Sequence, residues 1–81
     1  NVYAWIEGND PILKDEVVVV GAHMDHIGYG PSYSRTGGGK IHNGADDNAS
    51  GTAALLEMAE AFAAMKGQNK RTIVLMAFSA E

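Results

Sequence analysis

An 81-residue chain supports at most one small domain, and its content of 46% hydrophobic and 20% charged residues is typical of globular proteins. The formal net charge of −4, with only six scattered Lys and Arg residues, disfavours nucleic acid or an anionic membrane as a partner, because both select basic patches. The chain has no cysteine, which excludes disulfides and thiolate metal ligands, and no apolar run approaches the roughly 18 residues that span a bilayer.

Two β-strands are predicted near the start of the chain. Over residues 2–6 aliphatic side chains alternate with aromatic ones, which predicts a first strand, and the Gly-Asn-Asp-Pro sequence at 8–11 predicts a turn. The β-branched run 17–20 consists of four valines and predicts a second strand. Because this run is continuously apolar, we expect the second strand to be buried on both faces of its sheet.

A long glycine-rich stretch from His26 to about Ala45 follows, and it predicts a loop without regular structure. Loops of this length are uncommon unless they are functional or disordered, and the sequence leaves both possibilities open. His26 and His42 lie in or beside this loop, and we expect neither of them to be a metal ligand.

A helix and a third strand are predicted in the second half of the chain. Apolar side chains recur at helical spacing between Asn48 and Met65, with Asn48 or Ser50 as the residue that caps the helix start and Gly67 as the residue that ends it. The apolar run 73–78 is too short for an ordinary helix and predicts a strand. The order strand, strand, helix, strand predicts an α/β fold in which the last two strands run parallel.

Polar side chains gather at three places that this fold brings to one edge of the sheet. His23 and Asp25 follow the second strand, the Asp46-Asp47-Asn48 sequence precedes the helix, and Glu81 follows the third strand. Ligands of open α/β sheets bind beyond the carboxyl ends of parallel strands, so these groups are candidates for a cation site.

Each of these groups also has a simpler interpretation. His23 and Asp25 would share a strand face and could form a surface hydrogen bond, and Asp or Asn at a helix start is favoured for capping. Capping needs one such residue, however, and three in succession leave at least one carboxylate to bind a cation. A carboxylate beside a histidine is also the usual arrangement around a zinc-bound imidazole.

Three ordered motifs carry a family resemblance over nearly all of the chain. They are Val-Gly-Ala-His-Met-Asp-His at 20–26, Asn-Gly-Ala-Asp-Asp-Asn-Ala-Ser-Gly-Thr-Ala-Ala at 43–54 and Ala-Phe-Ser-Ala-Glu at 77–81. The chain resembles the bacterial leucyl-aminopeptidase-like zinc exopeptidases, metallopeptidase family twenty-eight. The resemblance implies a mixed-sheet zinc-exopeptidase fold of the aminopeptidase and phosphorylase type. It also implies that residues 1–81 form a single partial catalytic domain, truncated at its C-terminal end.

The resemblance implies a role for each candidate residue. His23 matches a zinc ligand, Asp25 the acidic residue that supports it, and Asp47 the carboxylate that bridges two Zn²⁺ ions. Glu81 matches the catalytic glutamate, which serves as general base and then as general acid. The remaining ligands of the family would follow Glu81, so we expect the isolated chain to be inactive.

For the intact enzyme the resemblance implies hydrolysis of N-terminal peptide bonds, with peptide or protein N-termini as substrates and secretion or a periplasmic location. Two alternatives stay open. A glutaminyl-cyclase-like zinc acyltransferase would keep the fold and change the reaction, and a non-catalytic relative would act as a binding or structural module. The oligomeric state and the preferred substrate residue are not predicted by the sequence.

Overall fold

The computed structural model describes residues 1–32, 34–35 and 37–80. Within these residues the regular elements, in chain order, are strand β1 (Val2–Ile6), a 3₁₀ helix (Leu13–Asp15), strand β2 (Val17–His23), a π-helical turn (Ala45–Ala49), helix α1 (Ser50–Ala64) and strand β3 (Thr72–Phe78). The predicted order strand, strand, helix, strand is confirmed, and the helix is one to two residues shorter at its ends than predicted.

The strands form a mixed three-stranded sheet in the order β1-β3-β2. β2 and β3 are parallel, with Val20 opposite Leu75, as expected for strands joined through a helix. β1 pairs antiparallel on the other side of β3, with Ala4 opposite Leu75. β3 is therefore the central strand, and the sheet confirms the predicted α/β class.

Helix α1 packs on one face of this sheet and makes the core. The buried hydrophobic side chains are Ala22 of β2, Leu55 of α1 and Leu75 of β3. Partly buried hydrophobic residues surround them: Ile6, Val20, Ala59, Phe62, Ile73 and Ala77. The core lies between one helix and one sheet, which agrees with a molecule that measures 15 Å along its shortest axis.

The prediction that the valine run is buried on both faces was wrong. Val17 is 53% and Val19 56% exposed. Alternate residues of a strand point to opposite faces, so these two valines lie on the face opposite Val20 and Ala22, which contact the core. No described element covers that second face, where Tyr3 and Trp5 of β1 are also exposed. β2 is in addition an edge strand, so its outer side is open as well.

The segment between β2 and α1 has no strand and no α-helix in its described part, as the glycine-rich sequence predicted. Its middle is closed by a hydrogen bond from the His42 backbone N–H to the Gly28 carbonyl, 2.7 Å long. The π-helical turn follows, and within it Asp47 and Asn48 have non-helical backbone angles and are joined by a cis peptide bond. Asp47 and Asn48 therefore lie outside the regular helix, which begins at Ser50.

Within the described part of the chain, no helix combines the length and the apolarity that a bilayer crossing requires.

Candidate metal centre

The carboxyl end of β2 and the turn before α1 meet at one edge of the sheet. β2 ends at His23, and Asp47 lies in the turn that leads into α1. The Nε2 atom of His23 is 3.1 Å from Oδ1 of Asp47. The His23 side chain is partly exposed and the Asp47 side chain is 64% exposed, so both are accessible from solvent. The fold therefore brings together the two residues that the sequence predicted as metal ligands.

The other nitrogen of the His23 ring faces Asp25. Nδ1 is 3.2 Å from the backbone carbonyl oxygen of Asp25 and 3.7 Å from its Oδ1. A carbonyl oxygen can only accept, so this hydrogen bond requires a proton on Nδ1. The backbone of Asp25, rather than its carboxylate, is the nearer partner of the ring. With Nδ1 donating to Asp25, Nε2 is the ring nitrogen that faces Asp47.

The geometry of His23 and Asp47 can be compared with the requirements of zinc. An imidazole nitrogen without a proton and a carboxylate oxygen both offer lone pairs, so two such atoms 3.1 Å apart can bind one cation together. Two ligand atoms about 2.0–2.1 Å from a tetrahedral Zn²⁺ are separated by roughly 3.3 Å. The donor types and their separation thus fit two adjacent positions of a zinc coordination shell.

Two further side chains hold the backbone of His23, a role that was not predicted from the sequence. The His23 carbonyl oxygen accepts hydrogen bonds from Asn48 Nδ2 and from Thr52 Oγ1, each 3.1 Å long. Asn48 also accepts a hydrogen bond from the Gly51 backbone N–H through Oδ1, which agrees with the prediction that Asn48 caps the helix start. Thr52 lies on the first turn of α1, and the helical pattern of the sequence did not distinguish its hydroxyl from that of any other surface threonine.

An open pocket of about 650 Å³ adjoins Asp47. Its lining includes Lys40, Asp46 and Asp47, together with His26 and His42, whose rings meet edge to face at 6.2 Å. The pocket thus extends the candidate centre toward the glycine-rich loop and has space for a ligand next to Asp47.

Gly44 lies directly before the π-helical turn, between this pocket and the helix. Its φ of 63° is a left-handed conformation that glycine adopts without strain. A Cβ atom at this position would lie 2.9 Å from the Asp47 carbonyl oxygen and 3.0 Å from the His26 ring, so a side chain could not be accommodated without movement. Gly44 thereby permits the close approach of His26 to the turn that carries Asp47.

The predicted site residues are therefore only partly assembled by the described residues. His23, Asp25 and Asp47 lie together, and Glu81 falls outside the described part of the chain, so its predicted role as base stays a prediction. Among residues 1–32, 34–35 and 37–80, no group of three or more His, Asp or Glu side chains is arranged to hold a metal ion. What the structure supplies is a pair of facing donors supported by hydrogen bonds.

Comparison with known proteins identifies the family. No solved structure matches the chain significantly. A family model described as peptidase family M28 matches residues 1–81, the full length of the sequence. This match implies a metal-dependent peptidase in general, in agreement with the paired donors of His23 and Asp47. The chain therefore belongs to peptidase family M28.

Proposed function

We propose that this chain carries part of the catalytic centre of a zinc-dependent aminopeptidase. The observation that carries the proposal is the 3.1 Å approach of His23 Nε2 to Asp47 Oδ1 in a chain that belongs to a metallopeptidase family. Imidazole nitrogen and carboxylate oxygen are common zinc ligands. Both side chains are also accessible to solvent, as a site that admits substrate requires.

In this proposal zinc would be held by His23, through Nε2, and by the carboxylate of Asp47. Zinc in such a centre supplies Lewis acidity, which polarises a substrate carbonyl and makes water nucleophilic at neutral pH. The contribution of Asp25 is to fix the His23 ring. The Asp25 carbonyl oxygen accepts a hydrogen bond from Nδ1–H of His23 and so keeps Nε2 directed at Asp47.

Glu81 is the proposed general base. Its carboxylate would accept a proton from the attacking water and return it to the leaving amine, which a single carboxyl group can do in sequence. This assignment is based on the sequence motif at 77–81.

The restriction to N-terminal residues would come from the surroundings of Asp47. The carboxylate of Asp46 lines the open pocket next to the proposed ligand Asp47, with Lys40 also present in the lining. The Asp46 carboxylate would favour a cationic amino terminus over an internal peptide segment, which carries no charge on its backbone. We therefore expect release of single N-terminal residues.

We further propose that the zinc ligands are completed by residues that follow Glu81 in a longer polypeptide. The described residues provide two facing donors, whereas a catalytic zinc ion usually has three protein ligands. The 81-residue chain alone should accordingly bind zinc more weakly than a complete centre and should not turn over substrate.

The test compares this chain with a version that is extended beyond Glu81 along its natural coding sequence. Zinc content is measured by elemental analysis, and activity is measured on an aminoacyl p-nitroanilide and on an internally cleavable peptide with a blocked amino terminus. We expect zinc-dependent release of p-nitroaniline by the extended protein only, its loss in His23→Ala and Glu81→Gln, and no cleavage of the blocked peptide.

Two results would contradict the proposal. Cyclisation of an N-terminal glutamine substrate without hydrolysis, together with one zinc per chain, would indicate the acyltransferase alternative. An extended protein that contains zinc but neither hydrolyses nor cyclises any of these substrates would indicate a non-catalytic relative.

A further inference from the structure

Two side chains at the start of α1 are attached to the last residue of β2. Asn48 Nδ2 and Thr52 Oγ1 both donate to the carbonyl oxygen of His23, and both hydrogen bonds are partly buried. They use both lone pairs of that oxygen. The strand end and the helix start are thus joined by two hydrogen bonds to one atom.

The orientation of the Asn48 amide is fixed from both sides. Its Nδ2 donates to His23, while its Oδ1 accepts from the Gly51 backbone N–H at 3.2 Å. A Cβ atom on residue 51 would lie 2.3 Å from Asn48 Oδ1, so the glycine there leaves the space in which the amide lies against the helix. Exchange of the amide oxygen and nitrogen would place like groups against each other at both contacts, and this excludes the alternative orientation.

This connection is a short non-covalent link between the two candidate ligands. Asn48 directly follows Asp47 in the chain, and the carbonyl that it holds belongs to His23 itself. Fixing the His23 carbonyl fixes the peptide plane next to its Cα atom, and hence the direction in which the imidazole leaves the backbone. The distance between Nε2 and Oδ1 therefore depends on these hydrogen bonds as well as on the packing of α1 against β2.

We propose that Asn48 and Thr52 are positioning residues that set the separation of His23 Nε2 and Asp47 Oδ1 and thereby the zinc affinity of the centre. The effect on zinc affinity rests on the proposed function, whereas the effect on the separation of Nε2 and Oδ1 does not. Groups that orient metal ligands from outside the coordination shell typically change metal affinity by about 10- to 100-fold.

The alternative is that these hydrogen bonds stabilise the contact between helix and strand and do nothing for the ligands. The chain offers a matched control at the opposite end of the parallel strands. Thr72, at the start of β3, also donates its side-chain hydroxyl to the backbone carbonyl of a distant residue, Lys14, at 2.6 Å. Thr72→Val therefore makes the same chemical change at a comparable bond and leaves the attachment to His23 intact.

The first measurement is the affinity of the chain for Zn²⁺ alone, determined by competition with a chromophoric chelator. We expect about 10-fold weaker binding in Thr52→Val and about 10- to 100-fold weaker binding in Asn48→Ala. Thr52→Ser keeps the hydroxyl and should restore the parent affinity to within about twofold, and Thr72→Val should also stay within about twofold. Equal losses in Thr72→Val and Thr52→Val, or parent affinity in Thr52→Val, would overturn the proposal.

The second measurement needs no zinc. NMR chemical shifts of His23 Nε2 and of the Asp47 carboxyl carbon are recorded at one pH in the metal-free chain. Thr52→Val should move both signals, and Thr72→Val and Thr52→Ser should leave both in place. If the chain binds no zinc, these shifts alone decide the positioning role, which unmoved signals in Thr52→Val would refute, while zinc content and activity of the extended protein decide the proposed function separately. If Asn48→Ala does not fold, the Val and Ser variants at position 52 decide the same question.

Discussion

His23 and Asp47 face each other across the gap between the end of β2 and the start of α1, with Nε2 and Oδ1 3.1 Å apart. The long connection between the two elements returns the chain to the same edge of the sheet, where α/β proteins bind their ligands. Neither residue belongs to the three-residue core. Their proximity is therefore a consequence of topology and of local hydrogen bonds rather than of hydrophobic burial.

Asp46 and Asp47 are neighbours in sequence with the same chemistry, but it is the Asp47 carboxylate that lies 3.1 Å from His23 Nε2, so variants of the two residues can be compared directly. We expect Asp47→Asn to weaken zinc binding by at least about tenfold, because it removes an anionic donor that faces Nε2. Asp46→Asn changes the net charge by the same amount and should stay within about threefold of the parent. Isothermal titration with Zn²⁺ measures both variants. Equal losses in the two variants would mean that overall charge, and not the position of Asp47, determines binding.

Leu75 is 4% exposed and lies on the central strand, where it contacts the core formed with Ala22 and Leu55. Leu75→Ala should lower the free energy of unfolding by about 2–5 kcal/mol, since it removes buried methyl groups and leaves a cavity. Val19→Ala, at a position that is 56% exposed, should cost no more than about 1 kcal/mol. Urea unfolding followed by circular dichroism compares the two. Similar costs at both positions would show that the uncovered face is packed in solution.

Gly8 approaches the chain segment before β3 more closely than any other residue type could. A Cβ atom there would lie 2.1 Å from the Lys70 carbonyl oxygen and 2.7 Å from the Arg71 carbonyl carbon, which are both backbone atoms. Gly8→Ala should therefore lower the free energy of unfolding by about 1–3 kcal/mol through forced backbone movement. Glu7→Ala changes the exposed neighbouring residue and serves as the control. Thermal unfolding that is equally affected by both changes would contradict the close approach.

The sequence predicted most of the secondary structure because its local signals are strong. The apolar run at the end of the chain and the helical spacing around Leu55 each specify one element, and the parallel pairing of β2 with β3 follows from the intervening helix. Burial is a different property, because it depends on what covers a strand. The run of valines in β2 has the composition of a doubly covered strand, but the described residues cover only one of its faces, and Val17 and Val19 are exposed.

The site was predictable to the extent that residue type indicates chemistry. His23 and Asp47 could be selected as candidate metal ligands from the family resemblance of their motifs, and the structure places them in contact. The hydrogen bonds that hold His23 could not be predicted, because Thr52 is a common residue on a helix and its partner is a backbone carbonyl of a distant strand. The nearer contact of His23 Nδ1 with the carbonyl of Asp25, rather than with its carboxylate, likewise depends on backbone geometry that composition does not encode.

Asp10 lies in the turn between β1 and β2, and its ionisation should make the stability of the chain depend on pH. Its Oδ1 accepts backbone N–H bonds from Leu13 at 2.8 Å and from Ile12 at 2.9 Å. These bonds, first Leu13 and then Ile12, hold the pKa of the Asp10 carboxyl below its ordinary value of 3.8, with a smaller contribution from Arg71 and a small opposing effect of burial. A carboxyl whose pKa is lower in the folded chain than in the unfolded chain stabilises the fold when it is ionised.

The contribution of Asp10 should therefore be fully present above its ordinary pKa of 3.8 and should disappear as the pH falls through the lower folded value. Asp10→Asn keeps an acceptor oxygen but cannot ionise, so the parent chain should be more stable than this variant above 3.8 and approach it in stability at lower pH. Urea unfolding midpoints at a series of pH values on both sides of 3.8 measure the difference. A difference that does not change with pH would mean that the ionised form of Asp10 has no special role in the turn, and that the two backbone bonds depend only on the presence of an acceptor.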